Sequence, residues 1–443
     1  MNPSIDAAGT TYAPAVSAVP AVDPMPPVSS IALPWDSEVP DPIKAIAGAR
    51  AELGDTFCVD GADGPYLFLF SPEGVRSFYE LPEERASKGV ADWRMISRKL
   101  PEELFDGRRT IMHDLFGRAG TAAYLANLET ALDTEVGAMG AAGTLEIFAF
   151  TRRLGHRLGL ASWAGEESAR GERFERLVPA LDELDGSEAF VRPGAMAEVK
   201  ANGKRAEREA MAAAELALGE SVDDRLAGEP KDDLFQRIIE SWRGEPMDDL
   251  RRGVARDIVL VHLGSMSNLF AALGWTLVDL LEHDEVAAAV AGGDAALAER
   301  CALESTRLAQ RSIMLRYVLA PVEVRDEHAT YQVMPGATIA TLLPLLNTSA
   351  APGLDAYDPD RWKGRRLRDA NALPAVELVT AFGHGSHTCP AQPFSLAAMS
   401  RTVLRLLSTF ELHAEFTGAE PLAVQIGGVA RAGAPCPVSY RRR

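Results

Sequence analysis

Residues 382–392 of this chain read Phe-Gly-His-Gly-Ser-His-Thr-Cys-Pro-Ala-Gln. Gly383 and Gly385 allow the backbone to turn tightly and to approach a flat ligand without a clash from a Cβ atom. The amphipathic segment 394–410 predicts a helix whose N-terminal N–H groups and positive dipole end face the sulfur of Cys389. This pattern indicates a thiolate presented to a metal centre, although a lone cysteine in a glycine-rich turn is also typical of a buried structural residue.

Two further motifs lie upstream of this cysteine loop. Residues 304–307 read Glu-Ser-Thr-Arg, and residues 357–362 read Tyr-Asp-Pro-Asp-Arg-Trp. On its own, a glutamate three residues before an arginine is typical of an ion pair on the surface of a helix. In this order along the chain, the three motifs together favour the ligand interpretation of the cysteine.

The chain resembles the cytochrome P-450 superfamily through its F-G-x-G-x-H-x-C loop, its E-x-x-R pair and its aromatic-x-P-x-R-W segment. The resemblance implies a mainly α fold with small β-sheets in a single domain, and a heme b bound through the thiolate of Cys389. A thiolate axial ligand donates electron density to iron and favours O–O cleavage. The resemblance also implies that Glu304, Arg307 and Arg361 form a buried charge triad, in which two guanidinium groups surround one carboxylate.

The composition is typical of a globular enzyme with a large core. The chain has 443 residues, of which 47% are hydrophobic, and we find no internal repeat. Its four cysteines are widely spaced, which disfavours a zinc site or a disulfide scaffold and favours a reducing cytoplasm. The net charge of −18 argues against a general nucleic-acid-binding role.

The N-terminal residues differ in composition from the rest of the chain. Residues 1–34 are rich in Ala, Pro, Val and Ser and contain no Lys or Arg, so we predict a disordered tail there and a heme domain over residues 35–443. Prolines interrupt the apolar runs of the tail, so we expect no membrane anchor and a soluble, cytoplasmic protein. Within the domain, residues 66–70 are expected to form a strand and residues 199–227 a solvated lid helix.

The segment from Asp257 to His283 predicts a long helix that is buried on most sides, because apolar residues occupy almost all of it. The resemblance places this helix across the distal face of the heme. Oxygen-activating members of the superfamily carry an acid and a threonine there, whereas this chain has Ser267 and Asn268. Asparagine forms hydrogen bonds but does not titrate near neutral pH.

Three interpretations of this distal helix follow. In the first, which we favour, Ser265, Ser267 and Asn268 hold waters that relay protons in a conventional monooxygenase. In the second, the enzyme takes preformed peroxide or rearranges a peroxide-containing substrate. In the third, the substrate supplies the missing polar group.

The residues after the cysteine depart from the superfamily as well. Pro390 has no N–H group to donate, and Ala391 stands where the superfamily usually has glycine. Fewer hydrogen bonds to the sulfur are expected to leave it more electron-rich and to lower the iron potential. Proline at this site resembles some peroxide-using and sterol- or prostanoid-handling branches, although proline also suits the first turn of any helix.

The propionate groups of a heme need cationic or hydrogen-bonding partners. His387 lies two residues before the thiolate and matches the propionate-binding position of the superfamily, while Phe382 opens the same loop. Arg316 is another candidate. Arg109 and His113 are four residues apart on one face of a predicted helix, and they resemble the H-x-x-x-R pair of the superfamily with the two residue types exchanged.

The candidate substrate contacts are mostly apolar, which predicts an apolar or amphipathic small molecule. They are Trp93, His262, Met266, Phe270 and Ile313. Of these, His262 is also explained as a hydrogen-bonded histidine of the core.

The predicted activity is that of a heme-thiolate monooxygenase in secondary metabolism or catabolism. The sequence has no glycine-rich dinucleotide fingerprint and no iron–sulfur cysteine array, so a separate ferredoxin with its reductase is the expected electron source. Ferredoxins are acidic, and Arg401, Arg405 and Arg108 are candidates for a basic docking patch. Two alternatives remain open: a peroxide-using or rearranging heme-thiolate enzyme, and a non-catalytic heme-bearing module for recruitment or ligand binding.

Overall fold

Helices make up most of the chain. A computed structural model describes residues 25–110, 115–186, 192–364 and 373–443. The α-helices in these ranges are α1 (Pro42–Leu53), α2 (Pro72–Glu80), α3 (Lys88–Ile96), α4 (Arg118–Ala138), α5 (Ile147–Trp163), α6 (Gly171–Asp185), α7 (Pro193–Ala201), α8 (Arg205–Ala227), α9 (Leu234–Ser241), α10 (Met247–Leu281), α11 (Asp284–Ala291), α12 (Ala295–Leu308), α13 (Leu343–Ser349) and α14 (Gln392–Thr409).

The β-strands are short and form small sheets. They are β1 (Val28–Ser29), β2 (Thr56–Gly61), β3 (Gly64–Leu69), β4 (Ala86–Ser87), β5 (Ala142–Glu146), β6 (Ile313–Val318), β7 (Val322–Arg325), β8 (Thr330–Val333), β9 (Thr338–Leu342), β10 (Phe410–Ala414) and β11 (Pro437–Arg442). The largest sheet has the order β1-β2-β3-β9-β6-β4, a second has the order β10-β11-β5, and β7 pairs with β8. The predicted mainly α fold with small sheets is therefore confirmed.

Helix α10 runs through the centre of the helical core. It begins at Met247 rather than at the predicted Asp257, and Asp248 and Asp249 in its first turn stabilise the positive end of the helix dipole. By length and composition α10 could cross a membrane, but 67% of its most apolar window is buried inside the fold. The core of a folded domain accounts for its apolar sequence.

Two glycines of α5 allow α10 to approach closely. A Cβ atom on Gly155 would lie 2.9 Å from the ring of Phe270, and one on Gly159 would lie 2.7 Å from His262 and from Met266. These three α10 side chains therefore fill notches in the surface of α5. The close packing fixes the rotation of α10 about its axis, and with it the face that α10 presents on its other side.

The predicted boundary of the tail at residue 34 is corrected by the structure. Val28 and Ser29 form β1, which pairs in parallel with Cys58 and Val59 of β2. Leu33 is 1% exposed and belongs to the core beneath the large sheet. An apolar side chain covered by a sheet gains burial free energy that a solvated tail does not, so these residues join the domain.

The predicted lid helix over residues 199–227 is two helices in the structure. Lys204 adopts a left-handed conformation with φ of 56° between α7 and α8, and its amine donates to the carbonyl oxygens of Ser97 and Leu100 at 2.9 Å. Helix α8 is also less solvated than predicted, because Leu218 and Val222 on one of its faces are fully buried.

Candidate functional site

A cavity of about 360 Å³ lies between α10 and the loop that precedes α14. Gly264, Ser265 and Asn268 line it from α10, and His387 and Cys389 line it from the opposite loop. Most of the remaining lining residues are apolar: Phe116, Leu269, Ala272, Met314, Leu343, Ala381, Phe382, Pro390, Ala391, Met399 and Val429.

The cysteine loop has the tight geometry that its glycines predict. The backbone N–H of Cys389 donates to the carbonyl oxygen of Phe382 at 2.7 Å and closes the loop. Gly383 has φ of 78°, and a Cβ atom there would lie 2.5 Å from the carbonyl oxygen of His387. Both the left-handed backbone and the close approach require glycine at this position.

The sulfur of Cys389 lies at the N-terminus of α14. Burial raises the pKa of the thiol, whereas hydrogen bonds from the backbone N–H groups of Ala391 and Gln392 act to lower it. Pro390 supplies no N–H group, so the expected loss of one donor to the sulfur stays a prediction beside these two donors. Both N–H groups lie at the start of α14, where the first N–H groups of a helix have no partner within the helix.

A cationic edge borders the cavity on the His387 side. Arg316 on β6 is 1% exposed, donates to the carbonyl oxygen of Ala86 at 2.9 Å and lies 2.7 Å from His387 Nε2. Because a guanidinium only donates, Nε2 must be the acceptor. Burial and the charge of Arg316 lower the pKa of His387, while Glu83 at 3.7 Å opposes the shift. Lys88 adds a second cation to the lining of the cavity.

These residues fit a heme. One wall supplies a single sulfur ligand, and the edge supplies Lys88 and His387 for carboxylate groups, with Arg316 bonded to His387 behind them. Arg316 Nε is buried and has no hydrogen-bond partner in the part of the chain that the structure describes. A buried cationic donor without a partner is costly, and an anionic group of a bound ligand would satisfy it.

The structure brings Glu304, Arg307 and Arg361 together. Arg307 donates to both oxygens of Glu304, from Nε at 2.9 Å and from Nη2 at 2.7 Å, and Arg361 Nε donates at 2.8 Å. Glu304 is 0% exposed. Burial acts to raise the pKa of its carboxyl, but the hydrogen bonds and charges of the two arginines outweigh burial and lower the pKa.

The cavity face of α10 carries few polar groups. Gly264, Asn268 and Ala272 follow one another four residues apart along this face, with Ser265 beside them. The hydroxyl of Ser265 donates to the carbonyl oxygen of Val261 in the preceding turn. Ser267 is not among the residues that line the cavity, and its place in a proton relay stays a prediction.

Comparison with known proteins gives one informative similarity. No family model matches the chain. Over 209 residues the chain is 23% identical to a 24-hydroxycholesterol 7-alpha-hydroxylase of Homo sapiens. The matched region covers 42% of this chain and 43% of the relative, so the similarity spans less than half of either protein.

The similarity to a hydroxylase, the helical fold and the cysteine loop support the cytochrome P-450 superfamily. The chain has the mainly α fold with small β-sheets that the resemblance to this superfamily implies. The departures from the usual motifs of the superfamily lie on α10, where Ser267 and Asn268 stand in place of an acid and a threonine.

Three predicted substrate contacts lie on the face of α10 that packs against α5. His262, Met266 and Phe270 are four residues apart on one face, and all three pack against α5. The cavity-lining stripe that begins at Gly264 is shifted from them by two residues, which corresponds to roughly 200° around a helix. Their assignment to the substrate cavity is therefore corrected.

His262 belongs to a buried chain of hydrogen-bonding groups. Its Nε2 lies 2.9 Å from Nδ1 of His156, whose Nε2 lies 2.9 Å from Asp182 on α6. The two imidazole rings are stacked, with centroids 5.1 Å apart. Burial and the neighbouring His156 lower the pKa of His262 well below its usual value. His262 therefore lies where a hydrogen-bonded histidine of the core would lie, which is the second interpretation that its sequence position allowed.

Arg109 does not reach the cavity. Its guanidinium donates to the carbonyl oxygen of Ser241 and to Glu245, both at 2.5 Å, and stacks 4.1 Å from the ring centroid of Trp242. These contacts hold its charge near α9, so its predicted role as a propionate ligand is corrected. His113, the other member of the predicted pair, lies outside the described residues.

Two further substrate candidates also lie away from the cavity. Trp93 on α3 is 52% exposed and does not line it. Ile313 begins β6, and successive residues of a strand face opposite sides, so Ser312 and Met314 line the cavity while Ile313 packs into the core beneath the large sheet.

Several cavity residues were not predicted from the sequence, among them Lys88 and Val429. Lys88 has only a weak signal, its place in the first turn of α3, which the side chain of Ser87 caps by accepting from Val90 N. Val429 has no such signal, because a segment late in the chain brings it to the cavity by tertiary contacts alone.

Proposed function

We propose that this protein is a heme-thiolate monooxygenase of the cytochrome P-450 type that hydroxylates an apolar or amphipathic small molecule. One observation carries the proposal: Cys389 lines a cavity at the N-terminus of α14, opposite the polar and small residues of α10. The similarity to a hydroxylase supports it. A role in secondary metabolism or catabolism and a cytoplasmic location remain predictions.

In this proposal, different residues around the cavity have different roles. Cys389 would bind the heme iron through its thiolate, and His387 and Lys88, together with Arg316 behind His387, would hold the propionate groups. When bound, the heme supplies oxygen activation, favoured by the electron density of the thiolate. The triad around Glu304 stabilises the segment behind the cysteine loop, because Arg307 also donates to the carbonyl oxygens of Asn347 and Leu354.

Proton supply is the unusual part of the proposal. The residues of α10 that line the cavity include no titratable side chain among the residues described. Ser265 already donates its proton to Val261, and the oxygen of the Asn268 amide is bonded to Val429 N at 2.8 Å. Protons must therefore come through bound water or from the substrate, or the enzyme takes peroxide, which needs fewer protons from the chain.

The substrate class follows from the lining of the cavity. Phe116, Leu269, Met314, Leu343 and Val429 are apolar, and few polar groups accompany them on the α10 side. Such a cavity favours an apolar or amphipathic molecule. The sterol named for the relative belongs to this class, and we propose the class rather than that sterol for this chain.

Electrons are proposed to come from a separate ferredoxin and its reductase. The candidate docking residues Arg401 and Arg405 on α14 are paired with Glu129 and Asp133 on α4. Their charges are partly balanced within the chain, which predicts weak docking that depends strongly on salt.

The reduced, carbon-monoxide-bound absorption spectrum tests the proposal. The heme-loaded protein is expected to give the strongly red-shifted band of a thiolate-ligated heme, and Cys389→Ser is expected to lose it. Cys58→Ser, which changes a partly buried cysteine on β2, is the matched control and should keep the band. Folded, heme-loaded wild-type protein without the band would exclude a heme-thiolate enzyme.

Turnover assays then separate the oxygen pathways. Product formation with ferredoxin, reductase and NADPH indicates a monooxygenase, while product formation with hydrogen peroxide alone indicates the peroxide-using alternative. A protein with the red-shifted band and no turnover under either condition across a panel of apolar substrates would favour the non-catalytic heme-bearing module.

A further inference from the structure

The side chain of Asn268 joins α10 to a distant turn. Its Oδ1 accepts a hydrogen bond from the backbone N–H of Val429 at 2.8 Å. A backbone N–H can only donate, so this bond fixes the orientation of the amide. The Nδ2 group of Asn268 is left without an acceptor among the described residues, on a residue that lines the cavity.

The turn is shaped to receive this side chain. Gly427 and Gly428 have φ values of 108° and 64°, which side chains with a Cβ rarely adopt. A Cβ atom on Gly428 would lie 2.6 Å from Asn268 Oδ1. The turn therefore needs glycine at residue 428 for two independent reasons, and one of them is the position of the Asn268 amide.

The other side of the turn is bonded to the segment that follows α12. Gly427 N donates to the carbonyl oxygen of Arg311 at 2.6 Å, and Arg311 N donates to that of Gly428 at 2.9 Å. Trp275, two helical turns after Asn268 on α10, donates from Nε1 to the carbonyl oxygen of Ala430 at 2.7 Å. Helix α10 thus holds the segment at two points, and Asn268 is the point at the cavity.

We propose that Asn268 is a positioning residue that fixes the Gly427–Val429 turn as a wall of the cavity and so sets the shape of the substrate space. The proposal rests on the proposed function, because it assigns a role at the same site. Val429 is 6% exposed and lines the cavity, so without Asn268 its N–H is a buried donor with no partner. Without this hydrogen bond the Gly427–Val429 turn is more mobile, and the part of the cavity surface that it forms changes position with it.

This role differs from a proton relay in a measurable way. A relay would use Asn268 through bound water, whereas positioning needs only an oxygen acceptor at Oδ1. Asn268→Asp keeps that acceptor, and Asn268→Ala removes it. Ser267→Ala changes the neighbouring residue of α10, which does not line the cavity, and serves as the matched control.

Hydrogen–deuterium exchange of the purified heme-loaded enzyme tests the contact. In Asn268→Ala, the amides of the peptide 425–431 should exchange about tenfold faster, since one hydrogen bond contributes roughly that factor to a local opening equilibrium. Asn268→Asp and Ser267→Ala should exchange like the wild type. Wild-type exchange in Asn268→Ala, or equally fast exchange in Asn268→Asp and Asn268→Ala, would overturn the proposal.

Spectral titration with imidazole and with 4-phenylimidazole tests the effect on shape. The phenyl group of the larger probe extends into the cavity, so the ratio of the two dissociation constants should change by about threefold or more in Asn268→Ala and stay near the wild-type value in Asn268→Asp. An unchanged ratio together with faster exchange would show that the turn does not set the shape.

The experiments distinguish a failure of the proposed function from a failure of the positioning role of Asn268. If the wild-type protein lacks the red-shifted band, the proposed function fails, while the exchange experiment still reports on the contact between Asn268 and Val429. If the band is present and exchange is unchanged in Asn268→Ala, only the positioning role fails.

Discussion

The indole Nε1 of Trp362 donates to Glu304 Oε2 at 2.8 Å in the interior of the protein. The same carboxylate accepts two hydrogen bonds from Arg307, one from Arg361 and one from the backbone N–H of Asp358. Donors from α12 and from the 3₁₀ turn Pro359–Trp362 therefore satisfy a fully buried negative charge. This arrangement ties the E-x-x-R helix to the segment that leads into the cysteine loop.

Glu304→Gln is expected to destabilise the protein by roughly 3–5 kcal/mol, because it leaves two buried guanidinium groups without their counter-charge. Trp362→Phe removes one donor to a charged acceptor and should cost about 1.5–3 kcal/mol. Urea unfolding measures both values. Asp360→Asn breaks an exposed pair with Arg300 and should cost less than about 1 kcal/mol. Equal losses in all three variants would contradict the assigned role of the triad.

Asp279 near the end of α10 is expected to make stability depend on pH. Burial raises its pKa to about 7, although the nearby hydroxyl of Ser305 acts to lower it, while Glu282, His283 and Glu304 also act on it. Because the folded pKa is raised above the usual value of about 3.9, the contribution is fully present below pH 4 and is lost as pH rises through about 7.

Asp279→Asn should remove this dependence and leave the free energy of unfolding flatter between about pH 4 and 7. Above about pH 7 the variant should be more stable than the wild type, because it no longer buries a charge. Urea unfolding across this range measures both effects. A wild-type slope that persists in the variant would assign the dependence to other groups.

His262 is expected to act on stability in the opposite pH direction. Its folded pKa is lowered by burial and by His156, so its contribution is present above the usual pKa of about 6.5 and is lost as pH falls below it. The groups that face this pair are Asp182 and Arg152, which lie 2.7 Å apart. Between about pH 8 and 5 the wild type should lose stability that His262→Phe does not lose.

The same variant checks the corrected position of His262. Because the residue packs against α5 and not along the cavity, His262→Phe should bind 4-phenylimidazole within about twofold of the wild type. A larger change in this dissociation constant, without a change in the binding of imidazole, would show that His262 does contact the substrate cavity.

Ferredoxin docking is expected to respond to acidic residues on α4. Glu129→Gln with Asp133→Asn frees Arg401 and Arg405, so an acidic ferredoxin should bind on the order of tenfold tighter at low salt. Surface plasmon resonance at two salt concentrations measures the change. Glu411→Gln frees Arg441 on the C-terminal sheet and is the matched control. If the double variant binds ferredoxin with the same affinity as the wild type, the docking surface lies elsewhere.

Much of the site could be predicted because its signals are local. The turn at Gly383 and the start of α14 follow from residues within a few positions of Cys389, and the structure places them as expected. Glu304 and Arg307 are three residues apart, and helix geometry alone brings them together. The ligand role of Cys389 stays a prediction that the spectrum of the heme-loaded protein tests.

The errors on α10 have a physical origin. The helix is apolar on nearly every side, so its sequence has little amphipathic pattern from which to choose a face. His262 and Asn268 are equally plausible cavity residues on that basis. Glycines on α5 settle the rotation, because Gly155 and Gly159 leave room for the bulky side chains of one α10 face and direct the other face to the cavity.

The cysteine loop and the glutamate–arginine pair could be predicted from residues within a few positions of one another, and the resemblance that these motifs carry implied the mainly α fold. Tertiary packing alone sets which face of α10 lines the cavity, places Arg109 elsewhere, and brings Asn268 to Val429. The last two residues are 161 positions apart, and their contact exists because helix packing and the bonds of the Gly427–Val429 turn bring them together.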